Sequence, residues 1–271
     1  METDINRDDT KTIKYKKNGH TKLTKEIINY LLFPILILVT WELISRLQIV
    51  SSILLPSIED VIKSFISQIK SGQLINDLAT SLFRVFKGYF IAVTLGISMG
   101  ISMGISEKTN KFFTIVFNGI RQIPPLAWIP LFILWFGIGE TSKVIMIAMG
   151  AFFSILLNTI NGIQNTPKQY LEVARLYKIK KVDLFKKVYL PSAIPSIFVG
   201  LRLGAGASWM SVVAAEMIAS SSGIGYRIND ARSLMQSDVV IVGIIVIGVV
   251  GVLMDTILRK IAHFASRWER L

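Results

Sequence analysis

The side chains that could do chemistry are the ionisable ones set inside or beside long apolar runs. Arg121 stands just before Pro124-Pro125, Arg202 lies one turn into a later apolar run, and Glu216 follows Trp209-Met210-Ser211 near the far end of that run. Charge within such a run is costly and commonly faces a cavity or a charged partner. Arg121 admits two roles: reaching the interface or capping the carbonyls of a broken helix, or lining a path for an anion together with Pro124, Pro125, Ser211 and Glu216. Arg202 admits the same two roles, and Glu216 either pairs with a basic group or helps gate the path. Lys87 and Asp255 sit near run ends and read as solvated. The two histidines, His20 and His263, fall in the tails, where surface or interfacial roles fit better than ligation. There is no G-x-x-x-x-G-K-[ST] and no H-E-x-x-H, so the sequence offers no phosphate-binding loop or zinc-protease helix of its own. With no cysteine, disulfides, thiolate metal sites and thiol catalysis are excluded. No catalytic set and no metal site can be assembled from these residues.

A second charged feature is an island between apolar runs, Glu172-Val-Ala-Arg-Leu-Tyr-Lys178 continuing to Val188-Tyr-Leu190-Pro191. The segment from 170 to 177 has helix-forming composition, with Leu171, Ala174 and the Leu176-Tyr177 pair available for an apolar face. A second short helix over 182–189 groups Leu184, Phe185 and Val188, and Pro191 ends it. Two short helices joined by a turn make a stiff knob with an apolar centre and a basic rim, suited to a groove on a soluble partner.

The elements that must hold these groups are membrane spans. The 271 residues are 52% hydrophobic and only 18% charged, with a net charge of +12. The basic residues gather in short loops between apolar runs, a membrane pattern rather than a nucleic-acid surface. A bilayer core takes about 20 apolar residues in a helix. Runs at 27–45, 82–105, 112–135, 144–160, 194–218 and 239–261 predict six transmembrane helices, the third interrupted by Arg121 and Pro124-Pro125. No small-x-small cleavage pattern follows the first run, so it reads as a retained anchor.

Arg7, Lys11, Lys14, Lys16, Lys17, Lys22 and Lys25 precede the first run; Lys108 and Lys111 follow the second; Lys168, Arg175, Lys178, Lys180, Lys181, Lys186 and Lys187 lie between the fourth and fifth; Arg259, Lys260, Arg267 and Arg270 close the chain. The alternate loops are poorer. The positive-inside rule predicts both termini and the Glu172 loop on the cytosolic side of a multi-pass plasma-membrane protein. Between the first two runs, Ile58, Val61, Ile62, Phe65, Ile66 and Ile69 recur at helical spacing after Pro56-Ser57. This predicts an amphipathic helix on the outer face, with packing against the bundle favoured over a partner site. Gly96, Gly100 and Gly104, four apart, predict close helix packing, as do Gly200, Gly204 and Gly206, and Gly243, Gly248 and Gly251.

From about residue 74 to 263 the chain resembles the inner-membrane permease subunits of binding-protein-dependent ABC importers. Their cytosolic loop carries E-A-A, three residues, G, nine residues, I-x-L-P. Glu172, Ala174, Leu190 and Pro191 match without gaps, Val188 stands for the isoleucine, and Lys178 occupies the glycine position. A lysine held left-handed there costs about 1 kcal/mol; either the turn is rebuilt or partner contacts offset that cost. Arg121-Gln-Ile-Pro-Pro-Leu-Ala-Trp-Ile-Pro, Leu134-Trp-Phe-Gly-Ile-Gly and Ala215-Glu-Met-Ile with Ser222-Gly-Ile-Gly resemble the sulfonate, taurine, nitrate and bicarbonate branch, closest to aliphatic sulfonate permeases.

The resemblance implies an all-α, type I importer fold. It places a basic tail at 1–26, the first span at 27–45, an external amphipathic segment at 46–76, a transport domain at 77–263 with the coupling loop at 168–193, and a tail at 264–271. Two permease copies, expected as a homodimer, would form the pathway. Two cytosolic ATPase subunits would bind ATP and Mg²⁺ and receive the knobs, and an external solute-binding protein would deliver substrate. Glu172, Ala174, Leu184, Val188, Leu190 and Pro191 would shape the knob, with Arg175 and Lys178 on its rim. The chain itself would hold no cofactor and run no reaction. Taurine, nitrate or bicarbonate, or a thiamine pyrimidine precursor are alternative solutes. A secondary transporter would need paired repeats and several midplane charges, and a membrane enzyme a catalytic cluster.

Overall fold

A computed structural model describes residues 19–265, with side chains from residue 32 onward. The basic N-terminal stretch, His20, Arg267 and Arg270 lie outside the residues whose side chains are described. Among the described residues there is no strand; helices are joined by short turns and one irregular segment. It divides into two compact units, residues 1–58 and 59–271.

The first unit holds α1 (Gly19–Arg46) and a segment that folds back along its end. The Trp41 indole donates to the Pro56 carbonyl at 2.9 Å, the Ser45 hydroxyl to Leu55 O at 3.2 Å, and the Ile58 amide to the Glu42 carboxylate at 3.1 Å. These bonds answer backbone groups of an irregular segment that would otherwise lack partners. The predicted first span falls within α1.

The second unit comprises α2 (Ile58–Lys70, from Glu59 on), α3 (Gln73–Ile105), α4 (Glu107–Arg121), a 3₁₀ turn (Pro125–Trp128), α5 (Ile129–Phe136), α6 (Glu140–Gln164), α7 (Lys168–Leu176), α8 (Lys181–Leu184), a π turn (Phe185–Tyr189), α9 (Leu190–Ala219), α10 (Ile224–Ser233) and α11 (Ser237–Ala265). Small residues decide how the helices meet. A Cβ built on Gly88, Gly96, Gly100 or Gly104 of α3 would lie 2.6–2.9 Å from Ile147, Ile155, Thr159 or Ile163 of α6 respectively. The partners step in the same order, so α3 and α6 run parallel at a separation only glycine allows. On α9, Gly200 meets Asn158 and Gly204 meets Ile155, so α9 runs antiparallel to α6. α6 is therefore the central rod, and its fully buried Ile147, Ile155 and Leu156 form the core. Gly206 and Gly248, by contrast, face open space, so not every predicted packing glycine packs.

Among the described residues α3, α6, the 39-residue helix Lys181–Ala219 and α11 are long and apolar enough to cross a membrane. The predicted third span is instead a broken pair: α4 and the Pro125–Phe136 segment meet at 89°. Pro124 and Pro125 carry no amide hydrogen, and the chain uses the break to begin a fresh 3₁₀ turn with proline in its first turn. The predicted stop at Pro191 does not occur. The Leu190 amide reaches back five residues to Phe185 O, opening the helix into a π turn that leads without interruption into α9. The wider turn relieves a proline ring placed next in sequence, so Pro191 sits in the first turn of α9 rather than ending α8.

Candidate functional site

The loop between α6 and α9 is built outward from Ala174, the one buried residue of α7. Residues two apart on a helix point about 200° from each other. With Ala174 turned inward, Leu176 points away, and it and Tyr177 are 80% and 78% exposed. The predicted common apolar face of Ala174, Leu176 and Tyr177 is thus split between two sides. Glu172 and Arg175 are exposed, and Leu184 and Val188 are half-buried. Phe185, Tyr189 and Leu190 pack against Ile163, Ala193 and Ile197, which roots the loop in the bundle. Between α7 and the start of α9 lies a cavity of about 790 Å³, lined by Tyr170, Val173, Val188, Pro191 and Pro195 among others.

The turn after α7 closes with two bonds, Ile179 N–H to Ala174 O at 3.1 Å and Lys178 N–H to Arg175 O at 3.0 Å. That pair defines a Schellman cap, which places its capping residue in the left-handed region. Lys178 has φ +48°. The turn is therefore left-handed with a lysine at the position where the resemblance leads one to expect glycine. Gln48 and Met235, the other non-glycine residues with positive φ among those described, close α1 and α10 with the same bond pattern.

Of the predicted path residues, Arg121 is the exposed last residue of α4, Pro124 is exposed and Pro125 half-buried at the break. Ser211 is buried where α9 crosses Gly150 of α6. Glu216 is 1% exposed and faces α3. Arg202 pairs with Asp255, which also accepts from Arg259 at 2.6 Å. Asp255 thus bridges two arginines, where the sequence suggests plain solvation. The Lys87 ammonium sits 4.2 Å from the centre of the Phe83 ring.

The residue that sequence reasoning missed is Arg84, 3% exposed. Its Nη1 donates to Glu216 at 2.8 Å and to Ser222 O at 2.7 Å. Nη2 donates to Glu140 at 2.6 Å and to the Ser222 hydroxyl at 3.0 Å, and Nε to Glu140 at 2.9 Å. A guanidinium has five N–H donors, so Arg84 has none left for a solute. Glu216 also accepts from the Ser81 hydroxyl at 2.8 Å and from Gly225 N–H at 3.0 Å. Asp77 accepts from Gly223 N–H at 3.0 Å and from Arg227 at 2.9 Å, and Lys143 donates to Glu140 at 3.1 Å. Three cations face three carboxylates, which is how buried charge becomes tolerable. Gly223 is required at φ +106°, and a Cβ there would lie 2.4 Å from the Glu216 carboxyl carbon. The signal for this cluster lay in the sequence: Asp77, Ser81 and Arg84 stand at i, i+4 and i+7, one face of a helix that Gly88 continues.

The helical bundle, with four helices among the described residues long and apolar enough to cross a membrane, defines a polytopic membrane protein. The fold matches a chain of the MetNI methionine ABC transporter in its inward-facing form, with a TM-score of 0.65 at 16% identity, covering 73% of this chain and 98% of that one. The chain belongs to the family of binding-protein-dependent transport system inner membrane components, whose profile matches residues 92–266. It is 40% identical over 239 residues to the aliphatic sulfonates transport permease protein SsuC of Bacillus subtilis, covering 88% of this chain and 87% of the relative. It is 32% identical over 238 residues to the taurine transport system permease protein TauC of Escherichia coli, covering 86% of each. It is thus a multi-pass permease component of an ABC importer, a family that works with ATPase and solute-binding partners.

Proposed function

We propose that two identical copies of this chain form the pathway of an ATP-driven importer of small organic anions, with aliphatic sulfonates first among them. Both termini and the 168–193 loop face the cytosol, where the loop receives an ATPase subunit. ATP and Mg²⁺ are held by that subunit and not by this chain.

The observation that carries this reading is mechanical. Exposed Leu176 and Tyr177 cap a short helix tied through a Schellman turn to one continuous 39-residue helix, Lys181–Ala219. At 1.5 Å per residue that helix is roughly 58 Å long, so a displacement applied at the loop is carried along the whole of α9. The loop's basic residues, with Glu172 and Asp183 as its carboxylates, support the cytosolic assignment. The switching itself is rigid-body motion between packed states, each favoured by different ligands. Arg84 is saturated by protein partners, which leaves exposed Arg121 at the α4–α5 break as the better cation for a passing anion.

Three measurements test this. Glu172→Lys is expected to leave membrane insertion intact and abolish co-purification with the cognate ATPase; retained binding and uptake in that variant defeat the coupling role. Arg121→Ala is expected to lower uptake of ethanesulfonate by roughly ten- to hundredfold, from the loss of a charge-assisted contact of about 1.5–3 kcal/mol, without loss of assembly. Uptake competition among ethanesulfonate, taurine and nitrate ranks the solutes, and a preference for nitrate or taurine would displace the sulfonate assignment.

A further inference from the structure

Helix α2 has three sides with different neighbours. At 100° per residue, Ile62, Phe65, Ile66 and Ile69 share one side, Val61 and Gln68 a second, and Glu59, Lys63, Ser67 and Lys70 a third. Val61 and Gln68 are the buried residues of the helix. The strongly apolar side is not buried: Ile62, Phe65, Ile66 and Ile69 are 52%, 39%, 45% and 40% exposed. Packing, the role the sequence favours for this face, therefore belongs to its neighbour about a quarter turn away. The third side is polar, with Lys63 paired to Glu59 at 2.7 Å; that carboxylate holds the lysine pKa above its usual value.

We infer that the Ile62, Phe65, Ile66 and Ile69 face of α2 lies in the lipid surface, as an interfacial anchor beside the transmembrane bundle. The argument begins with the chain. Ser71 and Gly72 alone separate α2 from α3, a membrane-spanning helix, and Gly72 turns the chain with φ +75°. The end of α2 is thus tied directly to the first turn of a helix long and apolar enough to cross the membrane. The first turn of α3 continues the apolar exposure with Ile75, 57% exposed. A helix lying flat beside a bundle at the membrane surface meets protein on one flank, lipid below and water above. The helix shows those three sides, with the buried side about 100° to one hand of the apolar side and the polar side about 100° to the other. Four large apolar side chains, one of them aromatic, on a short helix whose polar side begins about 100° round the axis fit a shallow position at the headgroup and acyl boundary. Against a soluble partner the same face would stand in water between encounters, and lipid contiguous with α3 is always present to cover it. The lipid placement rests on α3 spanning the membrane; assigning it to the outer leaflet rests in addition on the orientation proposed above.

The chain has no cysteine, so single-cysteine variants of the full chain report one position each. Phe65→Cys, Ile69→Cys and Ser67→Cys, each carrying an environment-sensitive fluorophore, are reconstituted with the ATPase into phosphatidylcholine–phosphatidylglycerol vesicles. A phosphatidylcholine with a nitroxide near the headgroup end of its acyl chain should quench the probes at 65 and 69 at least about twofold more than the probe at 67, which lies about 150° from the apolar side and meets water. Aqueous iodide should quench in the reverse order. Probes at 65 and 69 that iodide reaches as readily as 67, or that are shielded only when the solute-binding protein is added, overturn the lipid placement. In vesicles of defined sidedness, a probe at 67 that responds only to internal iodide would reverse the proposed orientation and leave the lipid contact standing.

Discussion

The Arg84 cluster and the 165–191 loop sit at opposite ends of α6 and α9 and treat charge in opposite ways. Around Arg84, side chains from α3, α6, α9 and α10 answer one another, with Arg84, Lys143 and Glu216 nearly removed from solvent. In the loop, Glu172, Arg175, Lys178 and Lys180 are exposed, beside uncovered Leu176 and Tyr177. A closed network fixes how helices meet, because losing one member strands the others in a dry site. An open charged surface on a stiff frame has its contacts still to make. The contrast separates what holds this bundle together from what is available to a partner, and it places Arg84 with the former despite its being an arginine in a span.

The sharpest way to break that contrast is Arg84→Met. It leaves Glu216 buried without its cation and should cost about 3–5 kcal/mol, read from unfolding in mixed micelles. Glu216→Gln should cost less, because the amide oxygen still accepts from Ser81 and Gly225. A loss under about 1 kcal/mol for Arg84→Met would show that the cluster is not a lock and would reopen Arg84 as a solute contact. Next in size is Gly88→Val, whose added atoms meet Ile147 where even a bare Cβ would lie 2.6 Å away; overpacking of this kind costs about 1–3 kcal/mol. At the loop end the effects shrink and change sign. Lys178→Gly relieves a left-handed lysine and should stabilise the turn by about 1 kcal/mol. Glu172→Lys, on an exposed position, should move folding stability by less than about 0.5 kcal/mol even where the proposed coupling to the ATPase is lost. A large folding defect there would mean that the loop is structural after all.

What could be read from the sequence follows the range of the contacts involved. The Glu172 helix, the amphipathic 58–70 helix and the glycine stripe of α3 depend on residues a few positions apart, and periodicity finds them. The partners of Arg84 lie 56, 132 and 138 positions away at Glu140, Glu216 and Ser222. No local pattern connects them, although the Asp77, Ser81, Arg84 spacing marks one end of the set. Two local rules were outvoted by their surroundings. Pro191 fails to stop a helix because the preceding turn widens around it. Lys178 takes a conformation that favours glycine because the Schellman bonds fix the geometry whatever the side chain. For α2 the periodicity identified the apolar side, but which side is covered by protein depended on how the rest of the chain meets Val61 and Gln68.

The widened turn at 185–189 has a directional consequence. A helix that spends five residues where four would close a hydrogen bond carries one surplus residue, and that residue clocks everything upstream of it. Deleting any one of Phe185 to Tyr189 would let the turn shut into ordinary α-helix and swing α7 about 100° around the axis of α9. If the residue removed is Phe185, Val188 or Tyr189, the loop keeps its cap and its charge and presents them to the wrong compass point.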